Sequence, residues 1–460
     1  MNDYLNGKKH VHFIGIGGSG MFPLAQILHG WGYFLTGSDN NETDTLNTVR
    51  EMGIPVMLGQ RAENIEGADL IVCTAAIMDD NPELIAAKES GVPLLYRSEM
   101  LALIADRYKN SLCISGTHGK TTSTGMVTQI LLEGGIDPSA VIGGKLPAIG
   151  GSGRAGKSDT IAVEACEFKD SFLTLTPAVA VILNIDADHL DYFGTLDNII
   201  ASFTKFISKT TETIIANGDD SNTMQAVNAA DMSGKKLITF GFKDSNDYYP
   251  QSIRQISDLE YSFELMYKGE MLTPITIHVA GEHNVLNAVA SCAAALECGV
   301  DCSALVAGLA GFHGTGRRFE KIGVEHGITV VDDYAHHPTE LAVTLRAAKA
   351  MSFNRVWAVF QPFTYSRTAM LLDDFADALS IADKVVLTEI MGSREKNTYN
   401  IYSADLASKI SGCEWFETFE QVADYVCENA KAGDLIITLG CGDVYKVAKI
   451  IIKKLKNKAG

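Results

Sequence analysis

Short apolar runs alternate with amphipathic stretches along almost the whole chain. Each apolar run ends at a glycine or at a cluster of polar residues. Apolar runs bounded by turn residues are typical of buried parallel strands, and the stretches between them are long enough for helices. The pattern therefore predicts an α/β protein made of doubly wound, Rossmann-like units. The predicted strands are 11–16, 33–36, 70–74, 112–114, 160–163, 178–183, 213–216, 237–240, 329–331, 356–360, 384–387 and 435–439.

The length and the order of these elements divide the chain into three predicted domains. At 460 residues the chain is too long for a single hydrophobic core. A helix predicted at 99–107 closes the first domain, and a glycine-punctuated segment at 311–316 precedes the third. We therefore predict domains at 1–107, 108–313 and 314–460.

Two segments depart from the alternating pattern. The glycine-rich stretch 148–157 has the composition of a mobile connection, and we predict one there. Between Asp244 and Thr273 the sequence is polar and alternates only weakly. A hairpin-rich flap is the structure that this second pattern favours.

Composition and charge exclude several classes of function. The net charge of −18 argues against nucleic-acid binding, which needs clustered lysine and arginine. No apolar run approaches the ~20 residues that a membrane-spanning helix needs, so we expect no membrane partner. The nine cysteines are scattered and lack zinc-finger spacing, so we expect reduced thiols in a cytoplasmic protein.

The first predicted strand runs into a glycine-rich turn from Gly15 to Gly20. The turn matches G-x-G-x-x-G, and Asp39 follows at about the distance of the acidic residue that binds a ribose. Taken alone, this motif predicts a nicotinamide dehydrogenase. The same turn would also hold the diphosphate of another nucleotide, and the motif does not separate the two.

A second turn, from Ser115 to Ser123, joins an apolar strand to a helix and reads SGTHGKTTS. Its glycines let backbone amides approach a phosphate, and the helix N-terminus adds positive charge. Lys120 would reach the terminal phosphates, and the Thr121 hydroxyl would bind magnesium. Ile114 stands where the first glycine of the usual motif belongs, so the loop is short. The alternative is a tight turn with an ordinary surface lysine; a nucleoside triphosphate site is the better interpretation.

Polar side chains also follow the next strands of this domain. Glu164 ends one strand, and His189 lies in the polar segment after another. Ligands of open α/β sheets gather at the carboxyl ends of strands, and hard oxygens suit magnesium. We predict that Thr121 and Glu164 bind the metal, and that His189 binds it or holds one of its waters. Asn284 and Asn287 share a helical face and are either a cap or contacts to a base or ribose.

The third domain places Arg317 and Arg318 in a glycine-punctuated segment before its first strand. Arginine suits a phosphoryl group because its guanidinium offers a planar fork of donors. Polar clusters end three strands here, at 332–340, 361–368 and 440–443, and together they predict a binding site. The adjacent histidines of the first cluster would suit zinc, but no third soft ligand is near in sequence.

Taken together, these stretches resemble the Mur ligases. The resemblance covers essentially the whole chain and rests on FIGIGGSGM, GTHGKTT, VEACE, NIDADHLDYF, GEHNVLNAVA, FHGTGRRFE and VDDYAHHPTE, in that order. It implies a UDP-sugar-binding Rossmann-like domain, a central P-loop ATPase-type domain and a C-terminal Rossmann-like domain. It also implies ATP-dependent ligation of L-alanine to the carboxylate of UDP-N-acetylmuramate through an acyl phosphate, with Mg²⁺, in peptidoglycan precursor synthesis.

The resemblance assigns roles to matching residues. For the UDP sugar these are Gly15, Gly17, Gly18, Ser19, Gly20, Met21, Ser38 and Asp39. For ATP they are Gly116, Thr117, His118, Gly119, Lys120, Thr121, Thr122, Asn284, Asn287 and Asp333, and for the metal Thr121, Glu164 and His189. The catalytic candidates are Lys120, Arg318, His337 and His336, with Arg367 and Tyr334 for the amino acid.

The sequence departs from the family pattern at one informative position. Phe363 stands where relatives usually have a histidine in the amino-acid pocket, so the specificity for alanine is open. Lys205 is near the position of a carbamylated lysine in other members, but its register does not align, and it receives no role. A ligase that attaches a whole L-Ala-led tripeptide and a non-catalytic UDP-sugar-binding relative are the rival interpretations. A monomer or a homodimer is expected, and the order of substrate addition stays open.

Overall fold

The computed structural model describes residues 4–74, 77–393 and 395–457. The chain forms two compact units, Met1–His313 and Gly314–Gly460. The first unit contains a five-stranded and a ten-stranded sheet, and the second contains a six-stranded sheet. The predicted α/β fold with three domains is thus confirmed, whereas the exact boundaries of the domains stay a prediction.

The elements follow the predicted alternation of strands and helices. The strands are β1 His10–Ile14, β2 Phe34–Asp39, β3 Val56–Leu58, β4 Leu70–Cys73, β5 Leu94–Tyr96, β6 Asn110–Ser115, β7 Ser139–Leu146, β8 Gly151–Arg154, β9 Thr160–Glu164, β10 Val179–Ile182, β11 Thr213–Asn217, β12 Lys236–Phe240, β13 Tyr248–Ser257, β14 Glu260–Tyr267, β15 Glu270–Ile277, β16 Glu320–Glu325, β17 Ile328–Asp333, β18 Arg355–Phe360, β19 Lys384–Thr388, β20 Glu414–Phe416 and β21 Asp434–Leu439. The helices are α1 Phe22–Gly30, α2 Asp44–Glu51, α3 Pro82–Glu89, α4 Arg97–Ala105, α5 Lys120–Glu133, α6 Leu190–Phe193, α7 Leu196–Lys209, α8 Ser221–Ala229, α9 His283–Glu297, α10 Cys302–Ala310, α11 Pro338–Lys349, α12 Tyr365–Met370, α13 Leu372–Leu379, α14 Ser403–Ser408, α15 Phe419–Asn429 and α16 Tyr445–Asn457.

The first sheet is parallel throughout, in the order β3-β2-β1-β4-β5. Its central strand, β1, ends at Ile14, two residues earlier than predicted. The reason is local, because Gly15 has φ +84°, a left-handed conformation that leaves the strand and begins the turn. The glycine turn therefore lies at the carboxyl end of the central strand.

The second sheet has the order β15-β14-β13-β12-β11-β10-β6-β9-β7-β8. The strand before the phosphate-type loop, β6, pairs in parallel with β10 and β9, so that loop lies at the middle of the sheet. At the other end β13, β14 and β15 pair antiparallel as successive hairpins. The hairpin-rich flap predicted between Asp244 and Thr273 is confirmed.

The prediction of a mobile connection at 148–157 is wrong. Gly151 to Arg154 form the edge strand β8, which pairs antiparallel with β7 and packs against α1. A Cβ on Gly153 would come within 2.5 Å of Pro23 Cα, so glycine here permits two backbones to pack closely. The glycines serve this packing, and composition alone does not distinguish it from flexibility.

The first two sheets share one hydrophobic core. A single cluster of buried side chains joins Leu24 and Leu28 of α1 to Phe172, Phe203 and other residues of the second sheet's layer. Continuous burial of this kind joins the two domains into one unit.

The second unit is built around a sheet of order β16-β17-β21-β18-β19-β20. Its strands are parallel except for β16, which pairs antiparallel with β17 at the edge. The predicted strands at 329–331, 356–360, 384–387 and 435–439 are present, each longer by one or a few residues. The short edge strands β16 and β20 were not predicted, because neither is a continuous apolar run.

All nine cysteines are in the thiol form, and four of them are buried. Within the described ranges, no helix combines the length and the apolar character needed to cross a bilayer.

Candidate active site

The turn between β6 and α5 is shaped by glycines that have no room for a side chain. Gly116 has φ +142° and Gly119 has φ +87°, both unfavourable for other residues. A Cβ on Gly119 would lie 2.6 Å from Asn287 Oδ1, and one on Gly116 would lie 2.9 Å from Leu183 Cβ. The helix begins at Lys120, earlier than the apolar pattern indicated, so the lysine occupies its first turn.

Lys120 is folded back onto its own loop. Its ammonium donates to the carbonyls of Gly116 at 2.5 Å and Thr117 at 3.0 Å, and to Glu167 Oε1 at 3.0 Å. Burial acts to lower the pKa of Lys120, but Glu167 and neighbouring acids outweigh it and raise that pKa. The lysine is therefore a charged donor in the loop, with a buried carboxylate as its counter-ion.

Thr121 and Glu164 lie together, as the sequence predicted. The Thr121 hydroxyl donates to Glu164 Oε1 at 2.9 Å, and Glu164 Oε2 accepts from the Gly143 amide at 2.6 Å. A Cβ on Gly143 would come 2.6 Å from Glu164 Oε1, so this glycine leaves the carboxylate its space. A hydroxyl and a carboxylate side by side are hard oxygen donors, and they fit magnesium.

His189 has local contacts of its own. Its ring packs on Phe168 with the centroids 4.7 Å apart, and its amide donates to Asp188 at 2.7 Å. Across the described residues, no group of three or more His, Cys, Asp or Glu side chains is arranged to hold a metal. Thr121 and Glu164 are thus the two candidate ligands that the structure shows in contact, and a role for His189 stays a prediction.

The remaining residues of the loop are anchored to two neighbouring elements. The His118 amide donates to Asn184 Oδ1 at 2.8 Å, and the His118 ring lies 3.6 Å from Asp186. Asn287 donates to Asn284 Oδ1 at 2.8 Å, and Asn284 donates to the Ala280 carbonyl at 2.6 Å. Both amides are buried, so their first function here is to pack α9 against the loop. Thr122 is half-buried beside them.

In the first domain the glycine turn is held by the end of β2. The amides of Gly15 and Ile16 donate to the Ser38 carbonyl at 2.9 and 3.0 Å, and the Gly17 amide donates to Asp39 Oδ2 at 3.1 Å. Ser38 is fully buried, and its hydroxyl donates to Glu83 at 2.6 Å. Its side chain therefore supports the turn, while Asp39 at the rim is the group that faces outward.

Glu83 was not singled out from the sequence, yet it organises this support. It is fully buried and accepts from Ser38 and from His12, whose Nε2 is 2.8 Å away. His12 in turn lies 2.8 Å from the Thr36 hydroxyl. These partners are far apart in sequence, so no local pattern would have found them.

In the second unit, Arg317 ties the start of the domain to two strand ends. Its guanidinium donates to Asp332 at 3.0 Å and to the carbonyls of Gly440 and Cys441, between the rings of Tyr334 and Tyr445. Burial raises the pKa of Asp332 to about 6, against the opposing effect of Arg317. Arg317 thus holds the ends of β17 and β21 together, which is a structural role.

Arg318 differs from its neighbour in being exposed. Its guanidinium lies 5.6 Å from the Tyr334 ring, and it has no hydrogen bond or ion pair among the described residues. Asp333 is buried, and its carboxylate accepts from the amides of Phe319 at 2.8 Å and Ala335 at 2.9 Å. Burial raises the pKa of Asp333. Arg318 is available to a ligand, whereas the Asp333 carboxylate holds its own loop.

The two adjacent histidines have different environments. His337 caps α11, its Nδ1 accepting from the Thr339 amide at 3.4 Å. His336 Nδ1 lies 3.1 Å from the Tyr334 carbonyl and 3.3 Å from Glu340. Burial lowers the pKa of His336, with Arg367 and Arg318 adding to that effect and Glu340 opposing it. The lowered pKa favours the neutral form of the His336 imidazole, which is the form that accepts a proton.

The segment after β18 forms the rest of this cluster. Arg367 Nη1 and Gln361 Oε1 are buried and have no hydrogen-bond partner among the residues that the structure describes. Phe363 forms an isolated parallel β-bridge with Met391. Burial raises the pKa of the nearby Tyr334 hydroxyl. An arginine nitrogen left unpaired by the protein is a natural partner for a carboxylate. Lys205, in contrast, is exposed on α7.

Three family models match the chain in succession. They are "Mur ligase family, catalytic domain" at residues 10–109, "Mur ligase middle domain" at 114–295 and "Mur ligase, glutamate ligase domain" at 317–442. Together these models cover most of the sequence. The chain belongs to the Mur ligase family.

Relatives within the Mur ligase family match over nearly the full length. The UDP-N-acetylmuramate–L-alanine ligase of Agathobacter rectalis is 43% identical over 452 residues, 97% of this chain and 98% of the relative. That of Lachnospira eligens is 45% identical over 456 residues, 97% and 99% of the two chains. The crystal structure of UDP-N-acetylmuramate-alanine ligase from Thermotoga maritima matches with a TM-score of 0.82 at 28% identity, covering 98% and 100%. A murein peptide ligase from Psychrobacter arcticus shares the fold, with a TM-score of 0.75 at 23% identity over 98% and 99%.

Proposed function

We propose that this Mur ligase joins L-alanine to the carboxylate of UDP-N-acetylmuramate at the expense of ATP, in the synthesis of peptidoglycan precursors in the cytoplasm. Relatives that are 43 and 45% identical carry the name of that activity. The structural observation that carries the proposal is the loop at α5. There a charged lysine, a helix N-terminus and the Thr121–Glu164 pair meet, and phosphoryl transfer needs these groups.

The UDP sugar is assigned to the first domain and ATP to the central loop. Gly15, Gly17, Gly18, Ser19, Gly20, Met21, Ser38 and Asp39 are proposed for the UDP sugar, with Asp39 near the uridine. Gly116, Thr117, His118, Gly119, Lys120, Thr121, Thr122, Asn284, Asn287 and Asp333 are proposed for ATP. Thr121 and Glu164 would hold Mg²⁺, with His189 as a ligand or as an anchor for its water. The metal supplies charge neutralisation between the phosphates.

The chemistry begins with a carboxylate, which is a poor electrophile. An oxygen of the muramyl carboxylate attacks the γ-phosphorus of ATP, the bond to the β,γ-bridging oxygen breaks, and ADP and an acyl phosphate form. Both reactants are anions, so cations must neutralise them in the transition state. Lys120 and Arg318 are the side chains proposed for this task. The Arg318 guanidinium is exposed, whereas Lys120 would have to exchange its contact with Glu167 for the phosphates.

The second step forms the amide bond. The amino group of L-alanine attacks the acyl carbon, and inorganic phosphate leaves from the tetrahedral intermediate. The incoming ammonium must first lose a proton, and His336 is the proposed acceptor because burial keeps its imidazole neutral. His337 is the second candidate, though its Nδ1 is engaged in capping. Arg367 and Tyr334 are proposed for the amino-acid carboxylate and its neighbourhood.

Phosphate release with single acceptors tests the proposal. The protein would be incubated with ATP, Mg²⁺ and UDP-N-acetylmuramate, and L-Ala, L-Ser, Gly and an L-Ala-led tripeptide would be added in turn. Release with L-Ala above the other acceptors is the expected result, with Phe363 leaving the pocket competent. A Lys120→Ala variant is the matched control and should lose activity by about 100-fold or more.

Two other results would assign a different function. Release with the tripeptide alone would make the protein a peptide ligase, the activity named for its structural relative from Psychrobacter arcticus. If no acceptor led to phosphate release but UDP-N-acetylmuramate still bound measurably, the protein would be a non-catalytic binding protein.

A further inference from the structure

Arg97 is a half-buried cation on the first glycine turn that the proposed mechanism does not use. It is the first residue of α4, and its side chain lies over Gly20. A Cβ built on Gly20 would lie 2.8 Å from Arg97 Cδ, 3.3 Å from Nε and 3.4 Å from Nη1. The guanidinium therefore rests directly on the turn, and glycine at position 20 leaves the room for it.

The Arg97 guanidinium has neither a hydrogen bond nor an ion pair within the part of the chain that the structure describes. Four other arginines of the protein form ion pairs, among them Arg50 with Glu42 at 2.8 Å and Arg355 with Asp434 at 2.5 Å. With a net charge of −18, the chain does not lack carboxylates. A half-buried arginine that none of them approaches is left to pair with an anion from outside the protein.

The turn beneath Arg97 offers free donors as well. Amides of the turn are used internally, with Gly18 donating to the Gly15 carbonyl at 3.1 Å and Met21 to the Gly18 carbonyl at 2.9 Å. The amides of Ser19 and Gly20 have no acceptor in the described structure. Two unpaired amides and one unpaired guanidinium thus meet at Gly20, and all three are donors.

The backbone that carries Arg97 is held firmly. The Tyr96 amide donates to Glu99 Oε2 at 2.7 Å, which closes the first turn of α4, and Met100 is fully buried. A fixed helix start places the guanidinium over the turn before any ligand arrives. Arginine held in this way loses less conformational entropy when it binds.

We propose that Arg97 binds the diphosphate of the UDP sugar, together with the amides of Ser19 and Gly20. This inference rests on the proposed function, since it takes a nucleoside diphosphate as the ligand of the first domain. The planar fork of the guanidinium matches phosphoryl oxygens in two-point contacts. Asp39, whose negative charge disfavours a phosphate beside it, stays proposed for the neighbourhood of the uridine.

Calorimetric titration of the full chain with UDP, uridine and inorganic pyrophosphate separates binding of the diphosphate from binding of the nucleoside. Arg97→Gln should weaken the binding of UDP by about 10- to 100-fold, the range for a hydrogen bond between charged groups, and leave uridine within about twofold. Arg97→Lys should recover part of the loss. Arg107→Gln is the matched control, because this arginine stacks on Trp31 beyond the other end of the same helix. It should leave both affinities unchanged.

A second variant protects the test against misfolding. Gly20→Ala places a methyl group against the Arg97 side chain and should cause the same selective loss for UDP. In turnover, Arg97→Gln should raise KM for UDP-N-acetylmuramate with little change in kcat. UDP binding within twofold of wild type in Arg97→Gln, or equal losses for UDP and uridine, would overturn the inference. Failure of the wild type to release phosphate with L-Ala would instead overturn the proposed function, whatever the titrations gave.

Discussion

At the scale of single residues, Lys120 already has an anion. Glu167 is almost fully buried and lies 3.0 Å from the Lys120 ammonium, so the phosphates of the proposed nucleotide would compete with a carboxylate for that ammonium. The sequence drew attention to the lysine because it belongs to a local motif. Glu167 lies after the next strand of the sheet, and the pairing became visible only when the topology placed the two strand ends side by side.

Replacing Glu167 with Gln tests whether its carboxylate competes with a bound nucleotide for Lys120. Without the carboxylate, Lys120 is left buried among carbonyls, and the nucleotide-free protein should lose about 1–3 kcal/mol of stability. ADP then binds without displacing an anion, so the rise in Tm caused by ADP should be larger in Glu167→Gln than in wild type. Differential scanning fluorimetry with and without ADP measures both effects.

Glu297→Gln serves as the control, since it breaks a Lys–Glu pair of 2.8 Å with Lys236 outside the loop. It should leave the effect of ADP unchanged. An equal response to ADP in Glu167→Gln and wild type would show that the carboxylate does not compete with phosphate.

The adjacent histidines make a prediction about pH. The pKa of His336 is lowered from its ordinary value of 6.5 by burial. A base must be neutral to accept a proton, so kcat should rise with pH through a limb that lies below pH 6.5 and be flat at neutral pH. His336→Gln should lower kcat by about 100-fold and abolish that limb, whereas His337→Gln should keep it. The pH profiles of the two variants test this, and an unaltered limb in His336→Gln would exclude that residue.

The same shift has a thermodynamic consequence. Because the folded pKa of His336 is depressed, the unfolded chain binds more protons in the window just below pH 6.5. The contribution of this residue to stability is therefore complete above pH 6.5 and is lost as the pH falls. The free energy of unfolding, measured in urea at pH 7 and pH 5, should decrease less between these pH values in His336→Gln than in wild type.

At the scale of elements, the sequence predicted the strands of the sheets better than their edges. Buried parallel strands such as β6 and β21 are continuous apolar runs, and periodicity finds them. The edge strands β8, β16 and β20 face solvent or another backbone and lack that pattern. The glycines of β8 are the clearest case, because glycine is needed there to let α1 pack closely on the strand, and the sequence of the strand does not show this.

A pair of alanine substitutions in β8 tests whether this segment is a packed strand. Gly153→Ala would collide with the Pro23 backbone at 2.5 Å, and neither backbone yields easily. Gly151→Ala would meet only the end of the Gln26 side chain, at 3.0 Å, which is free to move. We expect Gly153→Ala to cost about 1–3 kcal/mol in urea unfolding and Gly151→Ala clearly less. If neither substitution changed the free energy of unfolding, the segment would be a mobile connection and not a packed strand.

At the scale of the whole molecule, the division at Gly314 separates two independent cores. The second unit has its own six-stranded sheet with buried side chains on both faces. The first two domains, in contrast, share a cluster. The sequence predicted three domains of one fold class correctly, but nothing in the pattern indicated which neighbours would share a core.

Expression of residues 314–460 alone tests this independence. We expect a single cooperative thermal transition, because the unit has a closed core of its own. A fragment ending at residue 107 should fail to unfold cooperatively, since its core includes side chains of the central domain. Circular dichroism of the two fragments distinguishes these outcomes, and a molten 314–460 fragment would contradict the prediction.

Three of the cysteines have thiols of low reactivity. Burial raises the pKa of Cys73 to about 11, of Cys298 to about 12 and of Cys441 to about 11, from an ordinary value of 9.0. Only the thiolate attacks electrophiles and peroxides, so these sulfurs are about 100-fold or more less ionised than ordinary cysteines at neutral pH. Cys441 follows a strand end of the second unit's polar cluster, where an alkylating inhibitor would be aimed. A covalent warhead directed at that sulfur would react slowly, and reversible ligands of the unpaired Arg367 offer the better route to inhibition.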